Sequence, residues 1–246
     1  MERRSVVEYL DSFLRLEDDC AYVQHRGYRT VRWSYRQVAL SASQFARELQ
    51  TRGIAKGDRV LLWGANSAEW VVAFFGCALC GAIVVPLDDA GTADFAQRIC
   101  KQVEAKLLVC SRQHSLSVTL NSCPALIFED LQELLSRHSP EPFDATSIVA
   151  ADTLEVVFTS GTTAEPKGVV ISHGNVLGNI APLETEIQKY LKYERLVMGS
   201  VGRVRARGGD RIFLLPLHDC PDRRAPTVEH CSARRSPRQS RNSEAR

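Results

Sequence analysis

Residues 153–175 read TLEVVFTSGTTAEPKGVVISHGN. Leu154 to Phe158 is a short run of β-branched and aromatic residues, the composition of a buried strand. Thr159, Ser160, Gly161, Thr162 and Thr163 then replace apolar side chains with hydroxyls and one glycine. Ala164, Glu165 and Pro166 lead to Lys167 and Gly168, and a second β-type run follows from Val169 to Ser172. Strand, hydroxyl-rich loop with one lysine, and strand make a plausible polyphosphate cradle. Glycine lets backbone N–H groups approach an anion closely, and successive N–H groups in a turn form a concave anion site. Hydroxyls donate hydrogen bonds or meet a hard cation, and lysine adds a mobile point charge. A Walker-type loop is excluded, because that pattern needs Gly-Lys-Ser/Thr opening a helix, and here Lys167 lies between Pro166 and Gly168. Composition alone is equally satisfied by a surface hairpin rich in turn residues.

The stretch TSGTTAEPKGV resembles the phosphate-loop signature of the adenylate-forming superfamily, which includes acyl-CoA synthetases, luciferases and peptide-synthetase adenylation domains. Its usual form is TSGTTG-x-PKGV. The one departure is Ala164 in place of glycine, which matters only if that residue must hold a positive φ. Upstream, WSYRQVALSASQFARELQTRGIAKGDRVLLWGANSAEWVVAFFGCALCGAIVVPLD (residues 33–88) is similar to the N-terminal block of the same enzymes. The resemblance covers residues 6–195 and is nearest to the subgroup acting on long-chain fatty acids.

Outward from the loop, the pattern predicts alternating strands and helices. Ser34-x-x-Gln37 reads as a capping box opening a helix with Val38, Ala42, Phe45 and Leu49 on one face and Gly53 as its stop. A strand is expected at Arg59–Trp63. The apolar run from Trp70 to Leu87 is long enough for a membrane span. Gly76 and Gly81 interrupt it and Pro86 closes it, so it is read instead as a helix from an Asn66/Ser67 cap to Cys80, a Gly81 turn and a buried strand at Ala82–Val85. A helix at Thr92–Glu104, strands at Lys106–Cys110 and Ala125–Phe128, and a short helix at Leu131–Arg137 continue the series. A linker-like Ser139-Pro140-Glu141-Pro142 follows, and after Gly174 a helix through Tyr193 is expected, with a kink at Pro182. The fold class is α/β: a mostly parallel sheet flanked by helices. By resemblance it is the first part of the large N-terminal domain of an adenylate-forming enzyme.

At 246 residues, 44% hydrophobic, 24% charged and with a formal charge of +2, the chain has the composition of a soluble globular protein and no global drive toward nucleic acid or membrane. The start MERRSVVEYLDSF lacks an apolar stretch long enough for a signal peptide. The eight cysteines are accordingly expected as reduced thiols of a cytoplasmic protein. Cys77-x-x-Cys80 sits in an apolar run and reads as core. His218 with Cys220 and His230 with Cys231 match no standard zinc spacing.

The domain expectation is 6–197 as a partial AMP-binding domain and 198–246 as a tail. From Arg203 onward arginine recurs, lysine is absent and aromatics stop at Phe213. Such a segment cannot bury a core and should be disordered, or it is the product of a frameshifted or truncated reading frame. Nucleic-acid binding by its arginines is the less favoured use.

The resemblance implies a two-step ligase: a carboxylate, here a fatty acid, and ATP give an acyl-adenylate and pyrophosphate, then coenzyme A takes the acyl group. By matching positions, Thr159 helps hold Mg²⁺, Ser160, Gly161, Thr162 and Thr163 cradle the β- and γ-phosphates, and Lys167 is the cation. The family's Tyr-Gly-x-Thr-Glu and Thr-Gly-Asp segments do not occur in the sequence, nor does the small domain carrying the adenylation lysine. The 246-residue polypeptide is therefore expected to be close to inert by itself. The alternative class is a non-catalytic nucleotide-binding or regulatory protein with a basic interaction tail. In limited proteolysis, trypsin should remove residues after 197 before it cuts the stretch from Ser34 to Ser172. A tail that survives as long as the body contradicts the disorder reading.

Overall fold

The computed structural model describes residues 3–26, 28–116, 123–145, 147–159 and 166–197. Along the chain these form α1 (Tyr9–Leu16), β1 (Cys20–Arg26), β2 (Arg29–Ser34), α2 (Tyr35–Thr51), β3 (Arg59–Trp63), α3 (Ala68–Cys80), β4 (Ile83–Leu87), α4 (Ala93–Gln102), β5 (Leu107–Cys110), α5 (Arg112–Ser115), β6 (Ala125–Ile127), α6 (Leu131–Leu135), β7 (Thr153–Thr159), β8 (Lys167–Ser172) and α7 (His173–Val197). They belong to a unit extending from Met1 to Leu215; a second unit, Pro216–Arg246, lies outside the described residues. The expected tail and the candidate zinc residues lie outside them too.

Six strands form one sheet in the order β6-β5-β3-β4-β7-β8. Every pairing is parallel except β7 with β8. The mostly parallel α/β sheet is therefore as expected. Its centre is β3, where Val60, Leu61 and Leu62 are fully buried. Val60 and Leu62 join the apolar cluster under α2 and α3, while Leu61 and Trp63 join the cluster under α4. A strand covered on both faces reads as a continuous apolar run, and RVLLW does so.

The helices start where their capping residues stand. The Ser34 side chain accepts from the Gln37 N–H, and the Gln37 side chain accepts from the Ser34 N–H, a complete capping box. Ser67 and Thr92 cap α3 and α4 with the hydroxyl alone, accepting from the Trp70 and Phe95 N–H groups. Gly81, with φ of 76°, ends α3 in the left-handed conformation that glycine adopts without penalty. Boundaries differ modestly from expectation. β4 continues through Pro86 to Leu87, with Pro86 in register with Leu62. Phe128 leaves β6 for a 3-10 turn, and α6 stops at Leu135. α7 runs through Pro182.

Two features escape the sequence reading. The first is α1, which buries Tyr9, Leu10, Phe13 and Leu16. The second is the antiparallel hairpin β1–β2. The hairpin packs by polar contacts at the start of α3: Tyr22 Oη donates to the Asn66 carbonyl at 3.1 Å, and Gln24 Oε1 accepts from the Ala68 N–H at 3.3 Å. That second bond satisfies an otherwise orphaned helix N–H.

α2 and α3 pack at their closest where Gly76 faces Phe45. A Cβ on residue 76 would lie 2.6 Å from Phe45 Cδ1 and 3.0 Å from the Ala42 carbonyl oxygen. Real contacts do not come so close, and Phe45 is fully buried. Gly76→Ala should therefore destabilise by about 1–3 kcal/mol through overpacking, although alanine is the better helix former by about 1 kcal/mol. Urea unfolding measures it; an unchanged or raised midpoint would show that the two helices can part without cost.

Candidate functional site

In an open parallel sheet, ligands bind beyond the carboxyl ends of the strands, favourably where successive connections leave to opposite faces. Here α3 follows β3 on one face and α4 follows β4 on the other, so the β3–β4 crevice is that point. It is filled. Trp63 ends β3 there and donates from Nε1 to the Asp88 carbonyl at 3.0 Å, across the crevice. The His114 ring stacks on the indole at 3.9 Å between centroids and 7° between planes, with its Nε2 2.8 Å from Asp89 Oδ1. This cluster escaped the sequence reading, because its members come from three separated segments.

The same edge of the sheet continues through β7. β7 runs parallel to β4, with Val84 opposite Glu155, so its last residue, Thr159, emerges at the carboxyl edge. β8 returns antiparallel, with Phe158 opposite Gly168 and Thr159 opposite Lys167. The structure thus brings Thr159 and Lys167 into register at the two ends of the loop, and Lys167 is exposed. Ser160, Gly161, Thr162 and Thr163, expected to cradle phosphates, lie outside the described residues.

Those flanks are well anchored. Val156 and Phe158 pack against the α4 cluster, and a Cβ on Gly168 would come within 2.8 Å of Val156 Cγ1 and 3.0 Å of Phe158 Cζ. The glycine after Lys167 therefore makes room for the aromatic that pins β7. Gln102, the last residue of α4, donates from Nε2 to the Pro166 carbonyl at 3.1 Å, holding the loop where it rejoins β8. Glu155 is buried on β7, and burial pushes its carboxyl above the usual carboxylate range. Cys77 is buried and Cys80 donates its thiol to the Ile54 carbonyl, which fits the core reading of that pair. Among the described residues, no group of three or more His, Cys, Asp or Glu side chains is placed to hold a metal ion, and no helix is long and apolar enough to cross a membrane.

Beyond β8, His173 locks the hairpin to the rest of the domain. It is 1% exposed, and its Nδ1 accepts from the Val6 N–H at 3.2 Å. Its own N–H donates to the Asp152 carbonyl at 3.0 Å, and Lys56 Nζ sits 2.7 Å from Asp152 Oδ2. Burial pushes the His173 imidazole down to about 4, Asp152 opposing the shift and Lys56 adding to it.

Comparison with known proteins agrees with this geometry. The family described as "AMP-binding enzyme" matches residues 13–211. The D-alanine–D-alanyl carrier protein ligase of Listeria welshimeri is 29% identical over 175 residues, 70% of this chain and 34% of that one. The crotonobetaine/carnitine–CoA ligase of Salmonella agona is 34% identical over 162 residues, 58% of this chain and 31% of that one. Among solved structures, the fatty acyl-adenylate ligase from L. pneumophila, in complex with acyl adenylate and pyrophosphate, superposes with a TM-score of 0.64 at 28% identity. That match covers 75% of this chain and 33% of that one. The chain spans about a third of the length of the curated relatives it matches.

The state of His173 makes stability pH-dependent. Its folded pKa of about 4 lies below the ordinary value of 6.5, so the unfolded chain binds the extra proton first. The contribution is whole above pH 6.5 and is lost as pH falls toward 4, at up to about 1.4 kcal/mol per pH unit. Urea midpoints between pH 7 and pH 4.5 should fall more steeply for the parent chain than for His173→Asn. Parallel profiles would contradict this assignment.

Proposed function

The chain belongs to the AMP-binding enzyme family, and we propose that it is the front part of a ligase that activates a carboxylate with ATP and Mg²⁺ and passes the acyl group to a thiol. The observation that carries this is the hairpin at the carboxyl edge: Thr159 and Lys167 stand in register at the ends of a hydroxyl- and glycine-rich loop. In this reading the substrate is a fatty acid and the thiol is that of coenzyme A, in line with the similarity to acyl-CoA synthetases.

The physical demand of such a reaction is neutralising the triphosphate charge, which fixed donors meet without reorganising. Lys167, exposed at the start of β8, fits an anion and would supply the positive charge. Ser160, Gly161, Thr162 and Thr163 would donate hydroxyl and backbone N–H groups to the β- and γ-phosphates. Thr159 would offer its hydroxyl to Mg²⁺, whose chemistry is to offset charge developing on the pyrophosphate. β7 and β8, anchored through Val156, Phe158 and the Gln102 bond to Pro166, fix the two ends of the loop.

The cradle is local, so it should bind phosphate weakly in this polypeptide alone. Titration with Mg²⁺-pyrophosphate, Mg²⁺-ATP and Mg²⁺-GTP should give dissociation constants near ~1 mM, about 4 kcal/mol, with little difference between the two nucleotides. Lys167→Ala should weaken all three and flatten their salt dependence, because that charge is screened by added ions. Equal binding by parent and Lys167→Ala, or strong rejection of GTP, would overturn the proposal that this hairpin is the binding element.

A further inference from the structure

We propose that Arg3 is a positioning residue for the β7–β8 hairpin: with Val6 it straps the N-terminal segment along α7, and so fixes where β8 and Lys167 stand. Its consequence for ligand binding rests on the reading of the hairpin as the phosphate-binding element. β8 ends at Ser172 and α7 begins at His173, with no residue between them. A shift of α7 is therefore passed straight to β8. Gln102 holds the hairpin at its loop end, and α7 holds the opposite end.

α7 meets the rest of the domain along one stripe. His173 and Val176 are buried, Leu177 and Ile180 pack against the larger apolar cluster, and Glu184 is partly buried. Steps of three and four residues put all of these on one helix face. The N-terminal segment lies against that face. The Val6 N–H donates to His173 Nδ1 at 3.2 Å, and Val6 and Val7 are buried in the cluster that contains Val176. Three residues earlier, Arg3 Nη1 donates to both carboxylate oxygens of Glu184, at 3.2 and 2.9 Å. The anchors at His173 and Glu184 stand about 16 Å apart along the helix axis. Ser5 is extended, with φ of −155° and ψ of 160°. An extended run from Val6 back to Arg3 covers about 10 Å, and the long arginine side chain spans the remainder.

The arginine is held on two sides. Its guanidinium lies 4.0 Å from the centre of the Tyr9 ring, and Tyr9 is 1% exposed, so the ring cannot move aside. The Arg3 and Glu184 side chains are 28% and 26% exposed, and a pair so placed is screened less than one in open solvent. Arg4 differs: it pairs with Glu8 inside its own segment, with its side chain 78% exposed. Arg3 thus ties the start of the chain to α7, whereas Arg4 stays within the segment.

The test compares the intact 246-residue chain with Arg3→Glu, Glu184→Arg and the double reversal, by amide hydrogen exchange and by titration with Mg²⁺-pyrophosphate. Each single variant should speed exchange in β8 and the first turns of α7 by about fivefold, with β3 unchanged. Each should also raise the pyrophosphate dissociation constant about threefold, because the binding-competent register is populated for less of the time. The double reversal restores the ion pair with its charges exchanged, and both readings should return toward those of the parent. Exchange in β8 equal to the parent's in both single variants would overturn the proposal. So would exchange quickened as much in β3 as in β8, or a double reversal no better than the singles. Exchange that quickens and is restored, with pyrophosphate binding unchanged throughout, would uphold the strap and overturn the hairpin as the binding element.

Discussion

The constraint behind this structure is that β3 is buried on both faces and flanked on both sides by parallel strands. A parallel strand cannot be joined to its neighbour by a tight turn, so each connection must cross over the sheet. β3 to β4 crosses through α3, and β4 to β5 through α4, and these helices lie on opposite faces. Val60 and Leu62 must therefore meet one helical layer while Leu61 and Trp63 meet the other. Close approach of α2 to α3 at Gly76, and of α4 to the sheet at Ile99, follows from having to cover both faces without voids.

Much of this was legible in the residues because it is set locally. Capping side chains at Ser34, Ser67 and Thr92, the left-handed glycine at position 81 and the apolar run of β3 are each specified within a few residues. α1 escaped the sequence reading, although Tyr9, Phe13 and Leu16 carry a helical spacing. The hairpin β1–β2 carries a weaker pattern. Val31 and Trp33 of β2 turn toward the apolar core and Tyr22 of β1 packs against it, while Tyr22 and Gln24 also dock by hydrogen bonds at the start of α3. An alternation of two apolar residues is too short to separate a strand from a loop.

The buried polar groups were equally out of reach. Glu48 receives Arg52 at 2.6 Å from its own helix, which spacing could suggest, and His138 at 2.6 Å from far along the chain, which it could not. His173 follows the loop motif directly, yet its role depends on Val6, at the other end of the chain. Trp63, His114 and Asp89 meet only because the crossovers bring three strand ends to one edge. Each contact is a product of topology, and topology is what a linear pattern encodes least directly.

That topology also decides how the carboxyl edge of the sheet is occupied. With Trp63 and His114 filling the crevice between β3 and β4, the position that doubly wound sheets commonly offer is taken by side chains. The carboxyl edge is used again at β7, by a different device. An antiparallel return clamps a loop at both ends, Thr159 against Lys167, where a crossover would clamp only its start. This arrangement places β8 at the sheet's outer edge, with Val169 and Val170 more than half exposed. The loop could not sit between two interior parallel strands, because there each successive strand would have to be reached by a crossover. A short loop with both ends in register is available only where the parallel series stops.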